Sequence, residues 1–257
     1  MSRRGRLSLF AVSGAGFLAV LLIGLHALPP FGDYHGVYER VIARVELPAR
    51  HATDYVTALN FDLRAFDTLG EEFILFASVT AVALLFRHAR HEERRDRRRD
   101  LAEHRFRGAS DSLRVLSLVL VTIITSLGIY LALHGALTPG GGFQAGVALA
   151  AGPITIALGG RYLTMKRITP DRGVEVLESL GAAAYTLIGV GGLIFGSVFF
   201  ENFLPYGTAD HLLSAGTMPL SSIAVGLEVT GGLLLVFTEF LDQSLVSDRP
   251  SAPGGSR

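Results

Sequence analysis

Two apolar runs, Leu113 to Leu133 and Gly142 to Leu158, flank a break that reads His134-Gly135-Ala136-Leu137-Thr138-Pro139-Gly140-Gly141-Gly142-Phe143-Gln144. Beyond Arg114 in the first turn, neither run carries a charged side chain. At a rise of about 1.5 Å per residue, about 20 such residues cross a hydrocarbon core of roughly 30 Å. The pattern is that of a membrane hairpin with a glycine-rich turn. Thr138 is placed to N-cap the second run and Pro139 to occupy its first helical position. Gly140 to Ala145 also fit the dinucleotide pattern G-x-G-x-x-A, but that motif needs a soluble strand before it and an acid about 20 residues on. Here a run of membrane length precedes it and the next acid is Asp171, so the nucleotide reading fails.

The rest of the chain repeats the theme. Arg3, Arg4 and Arg6 precede an apolar stretch, Leu7 to Leu28, longer than a signal-peptide core and without a small-residue cleavage site, so a retained first span is expected. Pro29 to Arg50 is mixed and turn-rich and reads as an extramembrane connection; His51 to Asn60 is too short to cross and suits an interfacial or re-entrant segment. Thr68-x-x-Glu71 ahead of Phe73 to Phe86 has the spacing of a capping box, which sets the second span at Leu69 to Phe86. Arg87 to Arg107 is dense in arginine with interspersed acids, and suits a solvated helix or a stretch beside anionic headgroups. With no aromatic interleaving and no folded basic surface, it is not expected to bind nucleic acid. Val174 to Phe200 is the fifth span and holds Gly192-x-x-x-Gly196, a spacing that lets helix backbones approach. Pro219 to about Asp242 is the sixth. A Ser/Pro/Gly-rich tail, residues 244–257, is expected to be disordered.

Equal numbers of Lys+Arg and Asp+Glu, 23 each, conceal segregation. The N-terminus, the Arg87 to Arg107 block and the Arg161 to Arg172 turn are basic, whereas the glycine turn and Glu201 to Gly216 lack Lys and Arg. The positive-inside rule then gives an all-α integral membrane protein of six transmembrane helices with both termini in the cytoplasm, located in the cell inner (plasma) membrane. Only Arg40, Arg44, Arg50 and Arg64 in the 29–67 connection run against it. The chain has no cysteine, no paired-histidine metal spacing and no G-x-S-x-G elbow, so neither an enzyme nor a cofactor or metal is expected.

Ionisable groups within a span need a reason, because each costs about 2.5–3.5 kcal/mol at a helix centre on insertion scales. Glu228 lies roughly 13 Å along the last helix from Pro219, near the bilayer midplane. It suits either a protonatable relay or a helix-tying hydrogen bond. Glu71 and Asp67 at the start of span two, with Arg64 beside them, suit an ion or proton access site or simply a cap and an ion pair. Glu72 points about 100° away from Glu71. His134 suits a proton shuttle or an interface hydrogen bond. Gln144, Thr122, Thr125 and Ser126 carry oxygens for a cation or for neighbouring helices. Glu175, Glu178, Glu239 and Asp242 are expected near solvated helix ends.

His134-Gly135 with Thr138 to Gly146, and above all Pro139-Gly140-Gly141-Gly142-Phe143-Gln144, resembles the signature of the MnhB/MrpB family of membrane proteins in the multisubunit Na+/H+ antiporters, as does Thr217 to Leu227. Asp54 to Glu71, chiefly Phe61-Asp62-Leu63-Arg64-Ala65-Phe66-Asp67-Thr68-Leu69-Gly70-Glu71, resembles the C-terminal tail of the large A-type polypeptide of the same antiporters, as well as the small membrane polypeptide of related hydrogenases. The resemblance implies an A-tail-like membrane part with the basic linker over residues 1–110, a four-helix B-like domain over 111–243, and a role in assisting monovalent cation (Na+) or proton translocation. Its implied partners are other antiporter-complex membrane subunits in a hetero-oligomer, the lipid bilayer, a monovalent cation and protons. It strengthens the access role for Glu71, Asp67 and Arg64. The alternatives are a membrane anchor of a hydrogenase or complex-I-like redox assembly, and a structural scaffold.

Overall fold

The computed structural model describes residues 3–28, 37–91 and 110–247, and every regular element among them is helical. The chain divides into two units, 1–40 and 41–257. The first holds α1, Arg3–His26, which exposes large apolar side chains from Phe10 to Leu25. The second holds the remaining helices, apart from the first turn of α2, which spans the boundary at Val37–Val45.

After α2 come a π-helical turn, Glu46–Arg50, the short α3, Tyr55–Ala58, and a second π-helical turn, Leu59–Leu63. Long helices follow: α4 (Ala65–His91), α5 (Asp111–Leu133), α6 (Gly142–Leu158), the short α7 (Tyr162–Ile168), α8 (Asp171–Phe195) and α9 (Met218–Ser247). Among the described residues four helices are long and apolar enough to cross a membrane, over Ala65–Phe86, Asp111–Leu133, Asp171–Phe195 and Met218–Asp242; Phe10–His26 and Gly142–Leu158 are shorter apolar helices.

Local chemistry accounts for the boundaries. Ser110 caps α5 by accepting from Leu113 N–H at 3.2 Å, and Asp111 complements the positive end of the dipole. Thr138 and Pro139 do not start α6 as expected; the Thr138 hydroxyl turns back to the His134 carbonyl, and the helix begins only after Gly141. Gly141 has φ +106°, a conformation other residues adopt only with strain. Nor is Thr68 an N-cap: α4 starts three residues earlier, and the Thr68 hydroxyl donates to the Asn60 carbonyl at 2.8 Å. The stretch expected as turn-rich, Pro29 to Arg50, contains α2, strongly amphipathic, and a buried Glu46.

Helix α9 is the axis of the packing. It lies against α8 and α6 most extensively and against α4 after them, while α5 pairs with α6 as the hairpin. Two-thirds of its span is buried, against 11 % for α4 and for α5. Glycines make the close approach to α9 possible. A side chain at Gly181 of α8 would collide with the Glu228 backbone and stand 2.7 Å from the Ala224 carbonyl; one at Gly231 of α9 would stand 2.6 Å from the Glu178 amide. Gly192 and Gly196, by contrast, do not seat a helix. Their faces are filled by the returning Val198–Glu201 segment, which corrects the expectation drawn from their spacing.

Candidate functional site

Three carboxyl side chains from three helices are buried together within the spans: Glu72 of α4, Glu178 of α8 and Glu228 of α9, with exposures of 2, 5 and 0 %. Glu72 and Glu228 face one another as a carboxyl pair, and Glu178 feels the charge of Glu228. None of the four oxygens of Glu72 and Glu228 meets a donor in hydrogen-bond geometry, and Glu178 Oε1 has no partner either. No Lys or Arg among the described residues acts on the three. Two ionised carboxylates in such a place would repel one another in a low dielectric, so the pair is chemically suited to hold a proton between its members.

Above the pair, on the glycine-turn side, lies a cavity of about 230 Å³ lined by Thr57, Asn60, Thr68, Glu71, Gln144 and the Gly140–Gly142 turn, among others. α3 is pinned beside that turn: Asp54 caps α3 through the Thr57 amide, and the Thr53 hydroxyl donates to the Leu137 carbonyl at 2.8 Å. The uncapped N-terminus of α6 opens on the cavity, which favours an anion such as the Glu71 carboxylate over a bare cation there. Tyr185 joins cavity and pair. Fully buried, it donates to the Ala65 carbonyl at 2.9 Å, touches the Thr68 hydroxyl, and lies within electrostatic reach of both Glu71 and Glu72.

A second cluster, outside the spans, gathers Glu46, Arg50, Asp62, Asn202 and Tyr206. Arg50 Nε pairs with Asp62 at 3.2 Å, its Nη1 donates to the Tyr206 hydroxyl, and its guanidinium lies over the Tyr206 ring. Burial, reinforced by the Asp62 charge and opposed by Arg50, pushes Glu46 up to about 7. Burial also raises Asp62, against the pull of Arg50 and of hydrogen bonds from Asn202 and Glu46. Glu201, held by the Ser197 and Val198 amides, stays below the usual carboxylate range.

At the far end of α9, Tyr162 donates to Asp242, and Lys166 bridges Asp171 at 2.8 Å and Asp242 at 3.5 Å. Glu239 is 3 % and Asp242 8 % exposed. The solvated helix ends expected for Glu178, Glu239 and Asp242 are thus corrected: all three side chains are buried, Glu178 on α8 and the other two on α9.

Of the residues singled out from sequence, Glu228 sits in the buried trio and Glu71 lines the cavity. Arg64 and Asp67 form an exposed ion pair, about half exposed on each side. His134 stacks on Tyr130 with ring centroids 4.1 Å apart, and its Nδ1 lies 3.2 Å from the Tyr130 carbonyl. Gly140, Gly142, Phe143 and Gln144 line the cavity with Gly141, and Pro139 lies in the turn before them. Sequence reasoning missed Glu72 as the partner of Glu228, and missed Glu46 and Asp62. The 100° offset between Glu71 and Glu72 was the signal for the first; nothing local marked the second.

An all-helical membrane protein organised round a helix bearing buried acids is the class these features define. The family described as a domain related to the MnhB subunit of Na+/H+ antiporter matches residues 112–235. An uncharacterised protein of Methanocaldococcus jannaschii is 32 % identical over 201 residues, 70 % of this chain and 74 % of that protein. A probable K+/H+ antiporter A/B subunit of Rhizobium meliloti is 30 % identical over 78 % of this chain, more than residues 112–257 can supply, but over only 22 % of its own length. Among solved structures, a chain of the membrane-bound sulfane sulfur reductase, an archaeal respiratory membrane complex, matches at TM-score 0.68 and 26 % identity, covering 93 % of this chain and 99 % of its own. A chain of the Mrp complex from Dietzia sp. shares the fold at TM-score 0.65 and 22 % identity, over 98 % of this chain and 27 % of its own. The chain belongs to the MnhB-related family and is a membrane subunit of the cation/proton antiporter class or of its complex-I-like relatives.

Proposed function

We propose that this chain works within a multisubunit monovalent cation/proton antiporter of the cell membrane, beside other membrane subunits, and that it carries protons rather than performing enzymatic chemistry. The observation that carries the reading is the Glu72–Glu228 pair, buried within the spans with each carboxyl meeting the other and no Lys or Arg acting on either among the described residues. Protons reach the pair from the cavity by way of Glu71, Thr68 and Tyr185, and leave along α9 by way of Glu178 and Glu239, which lies three turns beyond Glu228 on the same face. A polar cavity of that size has room for several waters. Arg64, Asp67 and His134 lie outside the cavity lining and are given no more than a positioning role near its entrance.

We further propose six spans with both termini in the cytoplasm, α1 and α6 each counting as a span in addition to the four longer helices, and three parts: an A-tail-like 1–110, a B-like 111–243 and a 244–257 tail. The basic linker beyond His91 and the tail from 248 fall outside the described residues.

The test is Na+- and K+-driven proton transport in inverted vesicles carrying the whole complex, comparing wild type with Glu72→Gln and Glu228→Gln and checking assembly by pull-down. Transport falls at least about tenfold in each variant with assembly preserved. Wild-type rates in both assembled variants would remove the relay from this chain. The match to nearly the whole of a respiratory-complex chain favours a second reading, a proton-handling membrane subunit of a redox assembly. Co-purification with iron–sulfur proteins, and no cation dependence of transport, would establish it instead.

A further inference from the structure

The Glu46–Asp62 cluster has no part in the relay, yet it joins segments far apart in the chain. Glu46 and Arg50 come from the first π-helical turn and Asp62 from the second, while Asn202 and Tyr206 come from the loop between α8 and α9. Glu46 is 0 % exposed, and the polar side chain its carboxyl meets is that of Asp62. Asn202 knots the loop: its Nδ2 donates to the Ala215 carbonyl at 3.1 Å and its Oδ1 accepts from the Thr217 amide at 2.8 Å, while its side chain also bonds Asp62. The His51 ring nitrogen lies 2.8 Å from the Gly207 carbonyl, a second tie between the same two regions. The charged groups facing Glu46 are Asp62 and Arg50; Glu201 bears on the same guanidinium from the loop side.

One guanidinium therefore serves two buried carboxyls. With Glu46 protonated, Asp62 and Arg50 form a neutral pair and Arg50 keeps its hold on Tyr206. With Glu46 ionised, a second negative charge presses on Asp62 and competes for the guanidinium. We propose that Glu46 and Asp62 form a proton-binding site whose occupancy latches the 201–216 loop to the two π-helical turns. Asp62 directly follows Asn60 and Phe61, which line the cavity, so the latch bears on the mouth of the membrane route. The site goes beyond the relay and does not depend on it.

The sign follows from the raised carboxyl. The latched form binds the proton more tightly than an open, hydrated Glu46 with its ordinary value of 4.5. Latching is strongest below that value and is lost as pH rises through about 7.

The chain has no cysteine, so a single Thr208→Cys next to Gly207 reports on the loop in the assembled complex through a membrane-impermeant thiol reagent. Labelling is read as a ratio to the same cysteine in Glu46→Gln, which cancels the thiol's own titration near pH 8.5. The ratio stays near one at acid pH and rises about threefold or more across a midpoint near 7. In Asp62→Asn, Arg50 is left to Glu46 alone, and the midpoint moves down by about one pH unit or more. A ratio flat between acid and alkaline pH, or a midpoint unmoved in Asp62→Asn, overturns the proposal. Loss of transport in Glu72→Gln with an unchanged labelling curve shows that relay and latch stand or fall separately.

Discussion

Among the described residues two carboxyl pairs are buried, and they are compensated in opposite ways. Glu46 and Asp62 share Arg50, whose guanidinium is tied in turn to Tyr206. Glu72 and Glu228 share nothing but each other. The first arrangement is a fixed charge set whose proton content alters a contact between loops. The second meets no Lys or Arg among the described residues, and the proposed relay assigns its neutralisation to a proton. The difference lies in where the backbone is irregular. π-helical turns outside the spans supply an arginine one turn from the acid, whereas regular helices at membrane depth admit no such residue without the insertion cost of a charged group.

The largest effect expected from breaking this contrast is to install a countercharge where there is none. Ala224→Lys on α9, one turn before Glu228, would place an ammonium beside the uncompensated pair, at a site 3 % exposed. Proton transport should fall at least about tenfold, as in the carboxamide variants, because a fixed ion pair replaces a mobile proton. Vesicle transport with a pull-down control checks it, and normal rates with the lysine in place would mean the pair is not on the route. A smaller, purely steric effect is expected at Gly181→Ala, whose methyl would strike the Glu228 backbone. About 1–3 kcal/mol of helix packing is lost, visible as a lowered melting temperature of the detergent-solubilised complex.

Much of this was legible in the sequence, and the reasons for the rest are physical. The spans, the glycine turn and Glu228 are marked by hydropathy and by position along one helix, both local properties. The hairpin's second helix, Gly142–Leu158, coincides with its apolar run. The boundaries at Thr68 and Thr138 were misread because a hydroxyl near a helix start has other acceptors: one reaches Asn60 and the other His134. The Glu72–Glu228 partnership and the Arg50–Tyr206 tie span more than 150 residues, and single-sequence periodicity carries no information on pairing at that range. Burial of Asp242 likewise depends on α7 folding back to deliver Tyr162 and Lys166.

The comparison can be sharpened at the far end of α9, where Asp242 has what Glu228 lacks: a hydroxyl donor from Tyr162 and an ammonium from Lys166. A charge so engaged is a clamp. Asp242→Asn is therefore expected to cost about 1–2 kcal/mol of stability, with transport per assembled complex nearly unchanged. A melting curve and a rate normalised to assembled complex separate the two readouts, and a lost rate with an unchanged melting curve would extend the relay to this end.

The smallest effect belongs to Arg64 and Asp67. They resemble the Arg50–Asp62 pair in composition, and they lie beside the cavity's Glu71 in sequence. Their side chains, however, are 49 and 51 % exposed, and the pair joins residues only three apart in the chain. Water and side-chain entropy offset most of the Coulomb gain in such a pair, so Arg64→Ala should change stability by less than about 1 kcal/mol. If it also leaves the cation dependence of transport intact, the acid-basic-acid run marks the start of α4 and nothing more. A rate loss exceeding the stability loss would bring Arg64 into the electrostatics of Glu71 after all, since an exposed guanidinium acts on an approaching ion through its field, whatever its weight in holding the fold together.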